Sequence, residues 1–330
     1  MAEVSFLLPV YNGATYLAET LESLLAQTHS DFDILIINDG STDDTLDVIS
    51  KVDDRRIRVV TQDNQGLVKT LNRGLEMLDC TYVARIDADD ICFPDRLMRQ
   101  QDFLTFTRAE ATSCRAININ EAGDTIGDSN PGNDFRNCDP MFIPAREPYL
   151  PHPFLFARLV TLQEIGGFRQ VHLAEDIDLC WRLFDYTRIA PQDAFLGKYR
   201  VHMNSVASND LAGIRMQAVY SELAALNTYL RRNGLEEVFP PHSFADAKAF
   251  SSILDLVNSL KSLEEDLRAH LLAQSYWKYL DIWHWRKFPL EQGDIERALN
   301  AVRDITLSEA NQDWHQTLLG WIKEDYPELV

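Results

Sequence analysis

The chain has no apolar run long enough to cross a bilayer, and its N-terminus lacks a basic stretch leading into a signal-like core. Its longest early apolar stretch, Phe6-Leu7-Leu8-Pro9-Val10, has the length of a strand. Basic residues are also scarce: 31 Lys and Arg stand against 51 Asp and Glu, for a formal net charge of −20. That balance weighs against a nucleic-acid partner, which demands a basic footprint, and against simple docking on an anionic membrane surface. The five cysteines (Cys80, Cys92, Cys114, Cys138 and Cys180) follow no metal-type spacing and read as free thiols of a cytoplasmic protein. A P-loop glycine run, a serine-nucleophile elbow, internal repeats and low-complexity tracts are missing too. What is present, 45% hydrophobic and 25% charged residues over 330 positions, is the composition of a soluble globular chain. Its length suits one large domain and a smaller one.

The first part alternates strands and helices. Val4 to Val10 reads as a strand, followed by a turn at Asn12-Gly13. A helix from about Tyr16 to Gln27 then places Leu17, Leu21, Leu24 and Leu25 on one face. Phe32 to Ile37 is the next strand, and Ser41 or Thr42 is placed to cap the helix after it. Ile57 to Val60, a helix from Leu67 to Leu78, and a strand running into Arg85-Ile86 complete the pattern. This order predicts an α/β sheet with largely parallel strands, whose ligands gather beyond the C-terminal strand ends. Asn12, Asp39, Asp87 and Asp89 all fall there.

Asp87, Asp89 and Asp90 crowd three carboxylates behind a buried strand. Such charges repel, and burial makes each one costlier. Partial protonation or a hard divalent cation relieves the cluster; a polar, Asp-rich turn explains the same residues without chemistry. Downstream, Pro94 suits the start of a helix reaching Phe106, and residues 121–153 read as irregular and fit to cover a site. Phe154 to Phe156 reads as a short strand, Val160 to Ile165 as a short helix and Gly166-Gly167 as a turn. Glu175 to Phe184 is helical, with Ile177, Trp181 and Phe184 inward. From about Leu211 the periodicity is helical throughout, through Val219-Leu223-Leu226-Leu230, Ile253-Leu256-Val257-Leu260 and Leu267-Leu271, to Ile295-Leu299-Val302 and Trp314-Leu318-Trp321. Tyr276, Trp277, Tyr279, Trp283 and Trp285 read either as helix-packing core or as an acceptor or partner surface.

Pro9-Val10-Tyr11-Asn12-Gly13, Asn38-Asp39-Gly40-Ser41-Thr42-Asp43 and Arg85-Ile86-Asp87-Ala88-Asp89-Asp90 together resemble the family 2 glycosyltransferases. His152-Pro153, Gly166-Gly167-Phe168, Glu175-Asp176-Ile177-Asp178 and Tyr199-Arg200-Val201-His202 extend the resemblance, in order, to about residue 208. It implies a GT-A nucleotide-sugar-binding fold with a Rossmann-like central sheet over residues 1–210, followed by a mostly helical region over 211–330.

The resemblance also implies roles. Pro9, Tyr11 and Asn12 lie beside the nucleotide base, with Asp39 accepting a base N–H. Asn64, Gly66 and Lys69 close over base and pyrophosphate; Lys69 and Arg73, four apart on one helical face, equally suit solvent. Asp87, Ala88 and Asp89 face the ribose and diphosphate, and Asp89, Asp87 and His202 are the metal candidates for Mn²⁺ or Mg²⁺. Asp90 is left to orient Arg85 or to cap a helix. Asp176, helped by Glu175, is the candidate base for the acceptor hydroxyl, while acidic residues also favour a helix N-terminus for purely structural reasons. His152-Pro153 takes acceptor or structural duty.

The expected activity is inverting, non-processive, metal-dependent transfer from a nucleotide diphosphate sugar, UDP-linked by preference, to a saccharide or lipid-linked saccharide. Cys180-Trp181-Arg182 lies inside the acidic motif where processive, membrane-spanning relatives carry a separate Gln-x-x-Arg-Trp-type motif, which favours single-sugar transfer. A non-catalytic binding protein on the same fold and a nucleotidyltransferase are the rival readings. Peripheral contact with the inner membrane face and a homo-oligomeric interface are left open.

Overall fold

The computed structural model describes residues 2–128, 135–202, 211–240, 246–247, 250 and 252–286, with side chains up to residue 282 in the last segment. These residues form two compact units. One gathers residues up to 135, 148–169 and 182–202; the other gathers 136–147, 170–181 and the described residues beyond 202.

The first unit opens with β1 (Val4–Val10), α1 (Leu17–Leu25), β2 (Phe32–Asp39), α2 (Thr45–Ser50), β3 (Ile57–Gln62), α3 (Leu67–Met77) and β4 (Tyr82–Arg85). Every residue of β1 is buried, as expected of a parallel strand covered on both faces. Phe6, Leu8 and Val10 share one core with Leu17, Leu21 and Leu24 of α1. Burying each of those leucines contributes about 1.5–3 kcal/mol, which fixes the helix that carries Tyr16 and Glu19. Leu7 points the other way, under α3, and there Gly74 is required: a Cβ at that position would lie 2.3 Å from Leu7 Cδ1.

The remaining strands are β5 (Ile91–Cys92), β6 (Ala111–Ile119), β7 (Thr125–Asp128), β8 (Phe156–Arg158) and β9 (Ile189–Arg200). Between them in the chain run α4 (Arg96–Thr107), α5 (Leu159–Glu164) and α6 (Glu175–Tyr186), the last with its residues up to Trp181 in the second unit. The nine strands form one sheet in the order β3-β2-β1-β4-β8-β6-β9-β5, with β7 beside β6. Strands β3, β2, β1 and β4 are mutually parallel. Beyond β4 the expected parallel order fails. β8 runs antiparallel to both β4 and β6, β9 is parallel to β6, and β5 is antiparallel to β9. The sheet is therefore mixed. The short strand also begins at Phe156 rather than Phe154, which closes a 3-10 turn over His152–Phe154. The stretch read as irregular contains β7 and a second 3-10 turn at Phe135–Asn137.

The second unit is built on α7 (Leu211–Arg232), α8 (Ile253–Ser259) and α9 (Glu265–Arg286). α7 is buried nearly all round, including Glu222, Asn227 and Thr228, and packs against α8 and α9. Ser252 caps α8, its Oγ accepting from Asp255 N at 3.1 Å. Tyr276, Trp277 and Tyr279 are buried, so these three rings are core. The side chains of Trp283 and Trp285, and the periodic stretch from Ile295 to Trp321, lie outside the described residues. Residues 136–147 are fastened to these helices. Gln274 Nε2 donates to the carbonyls of Pro140 and Phe142 (2.9 and 2.7 Å), and Glu222 Oε2 accepts from Ala145 N at 2.9 Å. Lys278 pairs with Glu147 at 3.0 Å. None of the described helices is long and apolar enough to cross a membrane.

Candidate active site

The C-terminal ends of four adjacent parallel strands make one edge. β1 ends in Tyr11, half-exposed, and Asn12, whose φ of 53° is left-handed. A non-glycine residue held there marks a position fixed by its surroundings. Asn12 N donates to Ser41 Oγ (2.9 Å), and its Oδ1 accepts from Thr42 N (2.8 Å). Ser41 and Thr42 thus join the ends of β1 and β2 instead of capping α2, whose N-cap is Asp44. Asp43 serves that helix start by accepting from Thr45 N at 3.1 Å. Pro9 sits within β1, in register with Ile37.

Asp39 ends β2, buried. Its Oδ1 accepts from Gln62 Nε2 (2.6 Å) and Gln65 N (2.9 Å), and its Oδ2 from Gly66 N (2.9 Å). The carboxylate thereby draws the loop before α3 across the strand end. Each carboxylate oxygen has two lone pairs, which leaves Oδ2 able to take one more donor. Gly66 adopts a φ of 85°, and Gly40 a φ of 75° at a point where a Cβ would come within 2.7 Å of Asn64 N. Both turns favour glycine. Lys69 is exposed on α3, whereas Arg73 donates to Gln62 Oε1 at 2.6 Å. Arg73 is therefore engaged in holding Gln62.

The fourth strand end carries the acidic residues. Arg85 grips Asp87 with both guanidinium arms, at 2.5 and 2.6 Å. Asp90 Oδ1 accepts from Arg200 N at 2.9 Å, so Asp90 neither orients Arg85 nor caps a helix. The loop rests on α1 and α4. Thr20 Oγ1 donates to Ala88 O (2.9 Å), Ser23 Oγ accepts from Cys92 N (3.0 Å), and the buried Arg96 donates to Arg85 O (2.7 Å). Desolvation pushes both Asp87 and Asp90 above the usual carboxylate range, partly offset at Asp87 by Arg85. At Asp90 the shift is large, because Asp89 and Asp87 add repulsion to burial.

His202 arrives from the end of β9, its Nε2 2.7 Å from Asp89 Oδ2. One ligand atom from each of Asp87, Asp89 and Asp90 lies within 4.8 Å of the others. Asp90 Oδ2 is buried with no hydrogen-bond partner among the described residues. Three hard oxygens, one of them orphaned, with an imidazole alongside, fit a divalent cation of the Mg²⁺ or Mn²⁺ type.

The structure thus brings together Asp87, Asp89 and His202, and separately Asn12 with the loop after β2 and Asp39 with the loop containing Asn64 and Gly66. Glu175 and Asp176 stand in the first turn of α6 with Asp178, beside the positive end of the helix dipole. Arg182 Nη1 donates to Ile165 O (2.9 Å), bracing the Gly166-Gly167 turn. His152 is buried against Phe168, with ring centroids 5.1 Å apart. Burial and the nearby Arg85 hold it well below the usual imidazole range, so it is a neutral packing residue. Thr20, Gln62 and Arg96 were not singled out by sequence reasoning, and Arg200 was named only as part of a motif, without a role. Each holds the site through at least one partner distant in the chain, and Arg200 carried a signal as part of the Tyr199-Arg200-Val201-His202 motif.

The fold is shared with known proteins. The structure of S. aureus TarS residues 1–349 in complex with UDP-GlcNAc superposes with a TM-score of 0.57 at 16% identity, covering 96% of this chain and 92% of that one. A mannosyltransferase from Pyrobaculum calidifontis, in complex with GDP-Man and Mn²⁺, gives 0.55 at 17%, covering 99% and 88%. An uncharacterized glycosyltransferase of Rickettsia felis is 31% identical over 200 residues, 60% of this chain and 33% of that protein. The chain spans about a third of the length of the first curated relatives it matches. Residues 5–159, from β1 through the acidic loop to β8, match the model described as Glycosyl transferase family 2, and it is these residues that carry a family 2 glycosyltransferase domain, within a GT-A fold.

Proposed function

We propose that this chain transfers a single sugar, with inversion, from a nucleotide diphosphate sugar to a hydroxyl of a saccharide or lipid-linked saccharide. The observation that carries this reading is the orphaned Asp90 oxygen beside Asp87, Asp89 and His202, at the edge where Asn12 and Asp39 fix two neighbouring loops. Asp89, Asp87 and His202 would hold Mn²⁺ or Mg²⁺. Such an ion supplies charge stabilisation for a departing diphosphate. Tyr11, half-exposed, offers a ring face to the base, and Asp39 Oδ2 accepts one base N–H in addition to Gly66 N. Asn64, Gly66 and the exposed Lys69 border the diphosphate. UDP is the base of choice, in keeping with the UDP-GlcNAc complex of the TarS neighbour.

Asp176 takes the proton of the attacking hydroxyl, with Glu175 beside it; a helix first turn is a rigid support for a base. Residues 1–210 form the transferase domain and 211–330 a helical domain in this reading. The reaction takes place in the cytoplasm, where lipid-linked acceptors face it from the membrane.

Calorimetry with UDP, GDP, CDP and dTDP, with and without Mn²⁺, tests the donor site. Binding selective for one base and dependent on both Mn²⁺ and Asp89 is expected, and Asp89→Ala abolishes it. Folded protein that binds none of the four would sink the reading. Asp176→Asn should lower kcat by about 10²–10⁴-fold with the donor affinity intact, the usual contribution of a general base.

A further inference from the structure

Arg200 sits two residues before His202 and is almost fully buried, with a side-chain exposure of 2%. Its guanidinium joins three elements. Nη2 meets Glu19 Oε2 of α1 at 2.5 Å, Nε donates to Asp89 O at 3.0 Å, and Nη1 donates to the carbonyl of Asn120, after β6, at 3.2 Å. Its backbone N–H donates to Asp90 Oδ1. The guanidinium face lies 4.4 Å from the centroid of the Tyr16 ring, and that ring also contacts His202, with centroids 5.4 Å apart.

Residues two apart on an extended segment point the same way. The ladder continues past β9 through Val201 N to Ile119 O at 2.8 Å, and Val201 itself is turned out to solvent. Arg200 and His202 therefore share a side, with Tyr16 touching both. With its donors committed to Glu19 and to main-chain carbonyls, Arg200 is built as a strut and not as a ligand for phosphate.

We propose that Arg200, braced by Glu19 and stacked on Tyr16, is a positioning residue that sets the spacing between Asp89 and His202 before a cation arrives. The proposal rests on the metal-site reading above. Arg200 restrains both members of the pair: Asp89 through its carbonyl, and His202 through the short backbone link and the Tyr16 ring. Supports of this kind typically contribute 10–100-fold to metal affinity. Glu19 is the better handle, because its side chain is 55% exposed and Gln keeps an oxygen acceptor in reach of Arg200 while removing the charge.

The test uses the full chain with Glu19→Gln and Arg200→Lys, and Glu22→Gln, exposed on the same helix, as control. Mn²⁺ binding is followed by the EPR signal of the free ion, with and without UDP. In the absence of metal, the His202 Cε1–Hε1 NMR resonance, assigned by its loss in His202→Gln, reports the ring's place beside Tyr16. Glu19→Gln should stay folded at the assay temperature, weaken Mn²⁺ binding about tenfold and move the His202 resonance. Arg200→Lys should do more of both, and Glu22→Gln neither. Wild-type Mn²⁺ affinity and an unmoved resonance in folded Glu19→Gln and Arg200→Lys would overturn the proposal. If the wild type binds no Mn²⁺ at all, the metal-site reading falls by itself; the resonance then decides whether Arg200 still holds His202.

Discussion

The two units bury carboxylates in different ways. At the end of β4, Asp87, Asp89 and Asp90 converge, and their protein partners leave the group unfinished: Asp87 has Arg85, Asp89 has His202, and Asp90 has one backbone N–H and one orphaned oxygen. In the helical unit Glu222 is fully buried on α7 and its carboxyl is pushed up to about 8, chiefly by burial. Its Oε2 accepts from Ala145 N, its Oε1, like Asp90 Oδ2, is buried with no hydrogen-bond partner among the described residues, and it lies in the field of Lys278, which pairs with Glu147. One group gathers three carboxyls whose ligand atoms lie within 4.8 Å of one another. The other tolerates a single acid that can hold its proton at neutral pH. Three converging carboxyls suit a hard cation, whereas one carboxyl on a helix offers it a single ligand.

Replacing Asp89 should separate the two most sharply. Asp89→Asn is expected to lower transfer by about 10²–10³-fold, the scale for losing one element of transition-state charge stabilisation. Its melting temperature should equal or exceed that of the wild type, because a like charge has left the cluster. Activity with added Mn²⁺ and a thermal melt check both halves, and a large fall in stability would place the cluster with the structural acids.

Glu222→Gln probes the other side. The folded carboxyl titrates near 8 against an ordinary 4.5, so the folded state holds its proton longer than the unfolded chain does. Its stabilisation is full below the ordinary value and is lost as pH rises through 8. Denaturant melts should show the wild type losing about 2 kcal/mol more than Glu222→Gln between pH 6 and pH 8. Equal slopes would mean that the acid is ionised throughout. The baseline is an exposed carboxylate: Asp95 pairs with Arg99 at 3.2 Å on α4, both about two-fifths exposed. Asp95→Asn should change stability by less than about 0.5 kcal/mol, and the pair should weaken further in high salt.

The parallel half of the sheet was readable because each strand is a short apolar run closed by turn residues, and burial on both faces writes that run plainly. The other half was not. β6 reads Ala-Thr-Ser-Cys-Arg-Ala-Ile-Asn-Ile, with polar Thr112 and Ser113 buried inside it. β9 contains Pro191 and Gly197, and its register with β6 shifts on both sides of Arg115. A strand with bulges, interior hydroxyls and a proline carries no clean period of two. Gly197 is needed there, since a Cβ would meet Phe154 Cε1 at 2.3 Å, but that contact is invisible in the chain. The acidic loop, Asn12 and Asp39 were legible as motifs. The parts that hold them were not: Gln62 and Arg96 went unnoticed and Arg200 appeared in a motif without its role, because a single Arg or Gln declares its partner only after folding.

The acidic loop is short, and it is tied at both ends. β4 closes it at Arg85, and β5 reopens pairing at Ile91, opposite Lys198 of β9. Residues 86–90 therefore have almost no slack, so the site resembles a socket cut into a frame more than a hand that closes. Swapping the acidic residues for others of similar size would change what the socket accepts without changing its outline. Under the transferase reading proposed above, a change of donor would then be made by side chains at this edge, on an unchanged backbone.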